Sequence, residues 1–324
     1  MLRLKRFLLP ALALWAAALA LPAQAAWPEK PIRLIVPSAP GGAADALMRA
    51  LAQQLSIQLG TPIVVDNKPG GSYVIGTMDL IKSEPDGYTL AYGNVVSLAT
   101  NRSLLATVPY EVERDLTLIS NVLRVSNMMV VNPEVPARNI AELIAYAKKN
   151  PGKLAFASEG NGTTSHLGVE MFKATTQTHL LHVPYRSATS AMTDVIGGGV
   201  QLMMVNTPVA GPHVLSGRVR ALGVSSPQRS PLFPNVPTIA EAGVPGFEVT
   251  AWGGIVGPAR MPAEVVNRLN TEIRAALNQP TVRERFKALG ADPSASTPQE
   301  FLALSRAETE RWAKIIKFSG AKVD

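Results

Sequence analysis

The chain has 324 residues, no cysteine and a formal charge of +7. The missing thiols exclude disulfides, thiolate metal centres, cysteine catalysis and a lipid-modified N-terminal cysteine. Lys and Arg form no run interleaved with aromatics, which argues against a nucleic-acid role and leaves an anionic small ligand compatible with the charge.

The first 25 residues read as an export signal. Arg3, Lys5 and Arg6 precede the apolar run Phe7 to Leu21, and Ala23-Gln24-Ala25 supplies the small residues of a cleavage site. That run, about 15 residues, is shorter than the roughly 20 a spanning helix needs. Cleavage would start the mature chain at Ala26, lower its formal charge from +7 to +4 and place it in the periplasm. No later apolar run is long enough to span a bilayer.

From there strand and helix patterns alternate: "PIRLIVPSA", "ADALMRALAQQLSIQLG", "TPIVVDNK", "VIGTMDLIKSEP" and "GYTLAYGN". Apolar strands without strict in-out alternation predict a parallel sheet covered on both faces, the α/β class. A second series starts near "SNMMVVNPE" and runs to "VRALGVSS". A proline-rich stretch then leads to the strand "VTAWGGIVGP" and the amphipathic helix "PAEVVNRLNTEIRAALNQ". The pattern predicts two α/β domains, one of residues 26–126 and 249–324 and the other of 127–248, with crossings at Val125 to Asn127 and Glu248 to Trp252. Thr297-Pro298-Gln299-Glu300 predicts the start of a last helix, whose Phe301, Leu304, Ala307, Trp312, Ile315 and Ile316 are expected to pack.

Several strand-to-helix loops could hold a ligand, because in parallel sheets ligands bind beyond the carboxyl ends of the strands. The first contains Ser38, Ala39, Pro40, Gly41, Gly42, Ala43 and Asp45, where Asp45 could equally serve the helix dipole. The second is Glu159, Gly160, Asn161, Gly162, Thr163, Thr164, Ser165 and His166. It resembles a phosphate cradle, but it lacks the Lys of a P-loop and the third glycine of a dinucleotide fingerprint, so a carboxylate fits better. Ser97 ends another strand, beside Asn94 and Asn101; Tyr185 and Arg186 open a further helix; and "DNKPGGSYVIG" adds Gly70, Gly71, Ser72 and Tyr73. His166 is expected to brace its loop as a donor. No Gly-x-Ser-x-Gly elbow occurs, which weighs against the alternative of a secreted α/β hydrolase. His179 and His182 do not have metal-site surroundings.

In their order along the mature chain, "WPEKPIRLIVPSAPGGAAD", "NKPGG", "PDGYTL", "GNGTTSHLGVEMF", "HVPYRS", "GPHVLSGRVRALGVSS", "VPTIAEAGVPGFE" and "AWGGIVGPARMP" resemble the Bug-type solute-binding receptors of tripartite tricarboxylate transporters. The resemblance implies a two-lobed Venus-flytrap fold of the periplasmic-binding-protein kind, no catalysis and no cofactor or metal. It also implies a monomer that captures a carboxylate (a di- or tricarboxylate, an aromatic acid or an amino acid) for membrane permease subunits or for sensing. Loops Pro37 to Asp45 and Ser158 to His166 would then face each other and hold the carboxylate through backbone N–H groups, hydroxyls and waters. Ser38 stands where family members commonly have Phe or Tyr, Glu159 where a small residue is usual, and Val205 where many have Asp before Asn206, all three touching the expected pocket.

Overall fold

A computed structural model of the chain describes residues 27–320, so the expected export signal lies outside the described residues. Strand β1 (Ile32–Val36) is buried almost throughout. The following helix α1 (Ala43–Leu59) buries Leu47, Met48, Leu51 and Leu55, the three- and four-residue spacing of one helical face. Next come β2 (Ile63–Asn67), α2 (Val74–Ile81) and β3 (Thr89–Asn94), with β1 pairing parallel to both β2 and β3. A single π turn, Val96–Thr100, leads into two short helices, α3 (Asn101–Leu104) and α4 (Val112–Asp115). Strand β4 (Leu116–Val131) is then 16 residues long.

After it follow α5 (Ile140–Lys149), β5 (Ala155–Ser158), α6 (Thr164–Thr176), β6 (Leu181–Pro184), α7 (Ala188–Gly197), β7 (Leu202–Asn206), α8 (Thr207–Leu215) and β8 (Arg220–Val224). The chain closes with β9 (Thr250–Pro258), α9 (Ala263–Asn278), α10 (Pro280–Ala288), the two-residue β10 (Asp292–Pro293) and α11 (Pro298–Ser319). Strand order is β2-β1-β3-β9-β4-β7-β5-β6, with β8 and β10 also on β4. Leu116 to Ser126 of β4 pair with β9, whereas Asn127 to Val131 pair with β7 and β8. One strand therefore serves two strand groups, and the fold is α/β and two-lobed.

The expected parallel sheet is corrected at its centre, because β9 runs antiparallel to both β3 and β4, and β4 antiparallel to β7 and β8. The chain passes outward on β4 and returns on β9, so the two neighbouring crossings must point in opposite directions. Breaks in the β4–β9 register at Leu118/Ser120 and Asn121/Leu123 also interrupt the alternation that would mark one long strand.

Ser225 fastens the crossings to each other. Its hydroxyl is fully buried, accepts from the Asn127 N–H at 3.0 Å and donates to the Val249 carbonyl. Its backbone bonds the same two residues, N–H to Asn127 O at 2.8 Å and carbonyl to Val249 N at 2.9 Å. Thr207 adds a hydroxyl bond to Ser126 O at 2.9 Å.

Helix α11 starts as predicted, with Thr297 and Glu300 forming a reciprocal capping box and Pro298 at the first position. Phe301, Trp312 and Ile316 are buried and Leu304 and Ile315 partly so, while Ala307 is exposed, a correction to the expected packing face. The helix packs against both the Val96–Thr100 turn and α6. Its buried Glu308 accepts the indole N–H of Trp312 at 2.8 Å and of Trp252 at 3.2 Å, so two large core side chains have their polar atoms satisfied by one carboxylate. Among the described residues no helix is long and apolar enough to cross a membrane.

Ser225→Ala strands a buried amide and removes a donor from a buried carbonyl, and is expected to lower stability by about 2 kcal/mol in urea denaturation. A change below about 0.5 kcal/mol, as for a surface site, would show that the two strands hold together without the hydroxyl.

Candidate functional site

The loop after β1 is exposed from Ala39 to Ala43 and anchored from behind. Buried Asp45 accepts from the Gly41 N–H at 2.9 Å, from Arg49 Nε at 3.0 Å and from Asn67 Nδ2 at 3.0 Å; the Asn67 amide also reaches Ser38 O at 3.0 Å. Burial opposes its charge, but Arg49 and these N–H donors outweigh it and hold the carboxyl below the usual range. Asp45 thus shapes the loop. No side chain caps α1 at Gly42, so its first backbone N–H groups point outward without an intrahelical acceptor. The Ser38 hydroxyl is buried with no hydrogen-bond partner among the described residues.

The loop after β5 is wired internally. Ser165 Oγ accepts from the Glu159 N–H at 3.0 Å and lies 2.8 Å from Thr163 Oγ1, which donates to Gly160 O at 2.8 Å. Ser158 Oγ accepts from the Gly160 N–H at 3.2 Å, and Thr163 caps α6 by accepting from the His166 N–H. His166 does brace the loop, but as an acceptor: its Nδ1 takes the Gly162 N–H at 3.1 Å. Asn161 is exposed at the tip. Thr164 differs from its neighbours, because its hydroxyl has no hydrogen-bond partner among the described residues while its amide sits in the first turn of α6. Ser165 and His166 do not form a nucleophile–base pair, since each side chain is bonded elsewhere in the loop.

Beneath this loop three rings stack. The centroids of Phe156 and His182 are 4.7 Å apart and those of His182 and His166 4.0 Å, and His182 Nε2 lies 2.7 Å from Ser158 Oγ. Burial, then His182, then Lys173 push His166 down to about 3; burial and Lys173 push His182 down to about 4. Both imidazoles are neutral near pH 7, which the acceptor role of His166 requires.

The loop after β5 meets a residue of the opposite lobe. Gly162 has a φ of +82°, and a Cβ there would collide with the Leu104 side chain, so the tip of one loop rests on α3. Gly70, Gly71, Ser72 and Tyr73 all have positive φ, a strained turn held by Asn101 Nδ2 on Ser72 O at 2.8 Å and Thr77 Oγ1 on Tyr73 O at 2.9 Å. The turn presents Tyr73 next to Asn94 and within electrostatic reach of Glu159; burial, then the Glu159 charge, push its hydroxyl up. Tyr73 and Leu104 carry this contact. For Tyr73 the sequence signal was the glycine pair before it; Leu104 has none.

Other expected site residues fall outside this meeting point. Ser97 is buried in the π turn, bonded to Asn94 and accepting Tyr110 Oη at its carbonyl. Tyr185 turns its hydroxyl onto Asp194 of α7, and Arg186 is exposed. Asn206 lies opposite Asn127, and both side-chain oxygens are buried without a partner among the described residues. Val205 faces an apolar core cluster, so the expectation that it touches the pocket is corrected. Cavities of about 570 and 650 Å³ lie elsewhere; the larger, lined by Arg124, Ser126, Thr207, Arg229 and Lys287, includes no residue of either loop. No group of three His, Asp or Glu side chains among the described residues could hold a metal.

The two-lobed α/β architecture is that of periplasmic solute-binding proteins. The family model "Tripartite tricarboxylate transporter family receptor" matches residues 47–321, and the chain belongs to that family. BugT of Bordetella pertussis is 38% identical over 298 residues, covering 92% of this chain and 91% of its own. Among solved structures, R. palustris Rpa4515 with adipate aligns with a TM-score of 0.83 at 35% identity, covering 92% of this chain and 100% of that one. MatC from Rhodopseudomonas palustris with bound malate aligns at 0.78 and 26% identity, covering 90% and 100%.

An imidazole kept neutral by folding protonates near 6.5 once unfolded, so the unfolded chain binds more protons between about pH 3 and 6.5. Stability is therefore expected to be complete above pH 6.5 and to fall below it, by roughly 2 kcal/mol for His166 alone at pH 5. Proton NMR should show neither His166 nor His182 titrating above pH 5; a midpoint near 6.5 for either would refute the buried neutral stack.

Proposed function

We propose that the chain is an exported receptor that captures a small carboxylate between its lobes and delivers it to a tripartite-type permease or a sensor. The observations that carry this reading are a helix start in each lobe, α1 uncapped at Gly42 and α6 with an open Thr164, and the contact between the lobes that Leu104 makes on Gly162. Helix N-termini favour anions, and two of them replace the lysine of a phosphate loop. The relatives holding adipate and malate support the same ligand class. The remaining site residues act behind this pair: Asp45, Thr163, Ser165 and His166 fix loop shape, while Ser38 and Asn206 offer buried polar atoms to ligand or water.

The division of the chain into 26–126 with 249–324 and 127–248 fits the switch of β4 partners at Ser126/Asn127 and the return at Val249/Thr250. Rotation about these two points would open and close the lobes. An N-terminal signal cleaved near Ala25 would bring the chain to the periplasm as a monomer.

Titration calorimetry against succinate, malate, adipate, citrate and benzoate is expected to give saturable binding of at least one acid, with no turnover of a generic ester. Thr164→Val, which removes a hydroxyl but keeps the shape, should then weaken that acid about tenfold with an unchanged melting temperature. Wild-type affinity in the variant would move the carboxylate away from the α6 start.

A further inference from the structure

Helix α10 ends in a left-handed turn at Gly290. This residue has a φ of +68°, its N–H reaches Lys287 O at 2.8 Å, and the next N–H, of Ala291, returns to Phe286 O at 2.9 Å, the pattern of a helix closed by a left-handed residue. That conformation calls for glycine without any neighbour, as at Gly60, which closes α1 with the same φ of +68° and where a Cβ would meet no described residue within 4 Å. Gly290 differs. A Cβ there would lie 1.8 Å from Cγ and 2.7 Å from Cδ of Pro208, a residue of the other lobe in the first turn of α8.

Both partners are fastened to β4, on either side of the point where that strand changes lobes. Pro208 follows Thr207, whose hydroxyl donates to Ser126 O at 2.9 Å, and Asn206, which pairs with Asn127. Gly290 precedes the buried Ala291 and β10, where Asp292 pairs with Arg124 and Pro293 with Leu123, and the Ser294 N–H then reaches Val122 O at 3.1 Å. The Ser225 clasp joins β8 to β9 along one edge of β4, and β7 and β10 pair along the other, so the contact of Pro208 on Gly290 lies across the strand from the clasp. Neither partner can retreat by itself, because packed interiors transmit a displacement rather than absorb it. Room for a Cβ comes from turning one lobe against the other.

We propose that Pro208 bearing on Gly290 sets the angle between the lobes, and that both are positioning residues for ligand capture although neither touches the ligand. The effect on affinity rests on the carboxylate-receptor reading: an acid held by a helix start in each lobe loses one of them when the angle changes.

The absence of cysteine allows spin labels at exposed Gln53→Cys in one lobe and exposed Lys149→Cys in the other, whose separation reports the angle. Gly290→Ala is compared with Gly60→Ala, which carries the same left-handed strain without a neighbour, and with Gly290→Ala in a Pro208→Ala background, where the nearest Pro208 atom left is Cβ at 3.0 Å. Gly290→Ala is expected to shift the distance distribution and to weaken the tightest of succinate, malate, adipate, citrate and benzoate about tenfold, Gly60→Ala to do neither, and the double variant to regain both wild-type values. Pro208→Ala alone, which removes the bearing atoms, is expected to broaden the distribution, a readout that stands even if Gly290→Ala fails to fold. A distribution unchanged in Gly290→Ala or in Pro208→Ala, or a shift that persists in the double variant, overturns the proposal, and a shifted distribution with wild-type affinity overturns the role in capture. Absence of binding by every acid in wild type contradicts the carboxylate reading, and the distances still decide whether this contact sets the angle.

Discussion

Everything between the lobes depends on how Ser225 holds two strands that run in opposite directions. A single buried hydroxyl, flanked by two backbone bonds, joins Asn127 on the outward crossing to Val249 on the return. Fixing both crossings at one level confines any change of angle to the residues just outside the clasp. Apolar packing limits the movement further: one core cluster includes Ile35 and Leu104 as well as Phe156 and Phe172, and α11 lies against both the π turn and α6.

The two loops at that interface solve opposite problems. The loop after β5 uses its hydroxyls and imidazole on its own backbone, so little conformational freedom remains to be lost when a ligand arrives. Neutral His166 and His182 suit this purpose, since a protonated ring could not accept the Gly162 N–H and would cost its full desolvation. The loop after β1 is held from behind, through Asp45 and the Asn67 amide, and leaves its helix start open. One loop is preformed and the other is exposed.

Much of this was legible in the sequence. Period and punctuation gave the β1–α1–β2 order, the last helix through Thr297 and Glu300, and the two loops as strand-end turns. The antiparallel centre was not legible, because bulges in β4 disguise one 16-residue strand as two segments. Helices α8 and α10 were also missed: α8 carries Pro212 inside it, and α10 begins one residue after α9's own cap. Within the site, residue type marked the right loops but not the direction of each side chain. Asp45, Ser165 and His166 look like ligand contacts until their partners inside the loops are seen, and Tyr73 gains its place only from a run of four left-handed residues.

The central claim, that a carboxylate is held between helix starts of opposite lobes, is tested most directly by a crystal structure of the protein with the tightest-binding acid. The account predicts the ligand carboxylate within hydrogen-bond distance of the α1 start at Ala43 and Ala44 and of Thr164 at the α6 start. A ligand seated instead in the 650 Å³ cavity beside Arg124 and Lys287, with both helix starts in contact only with water, would contradict it.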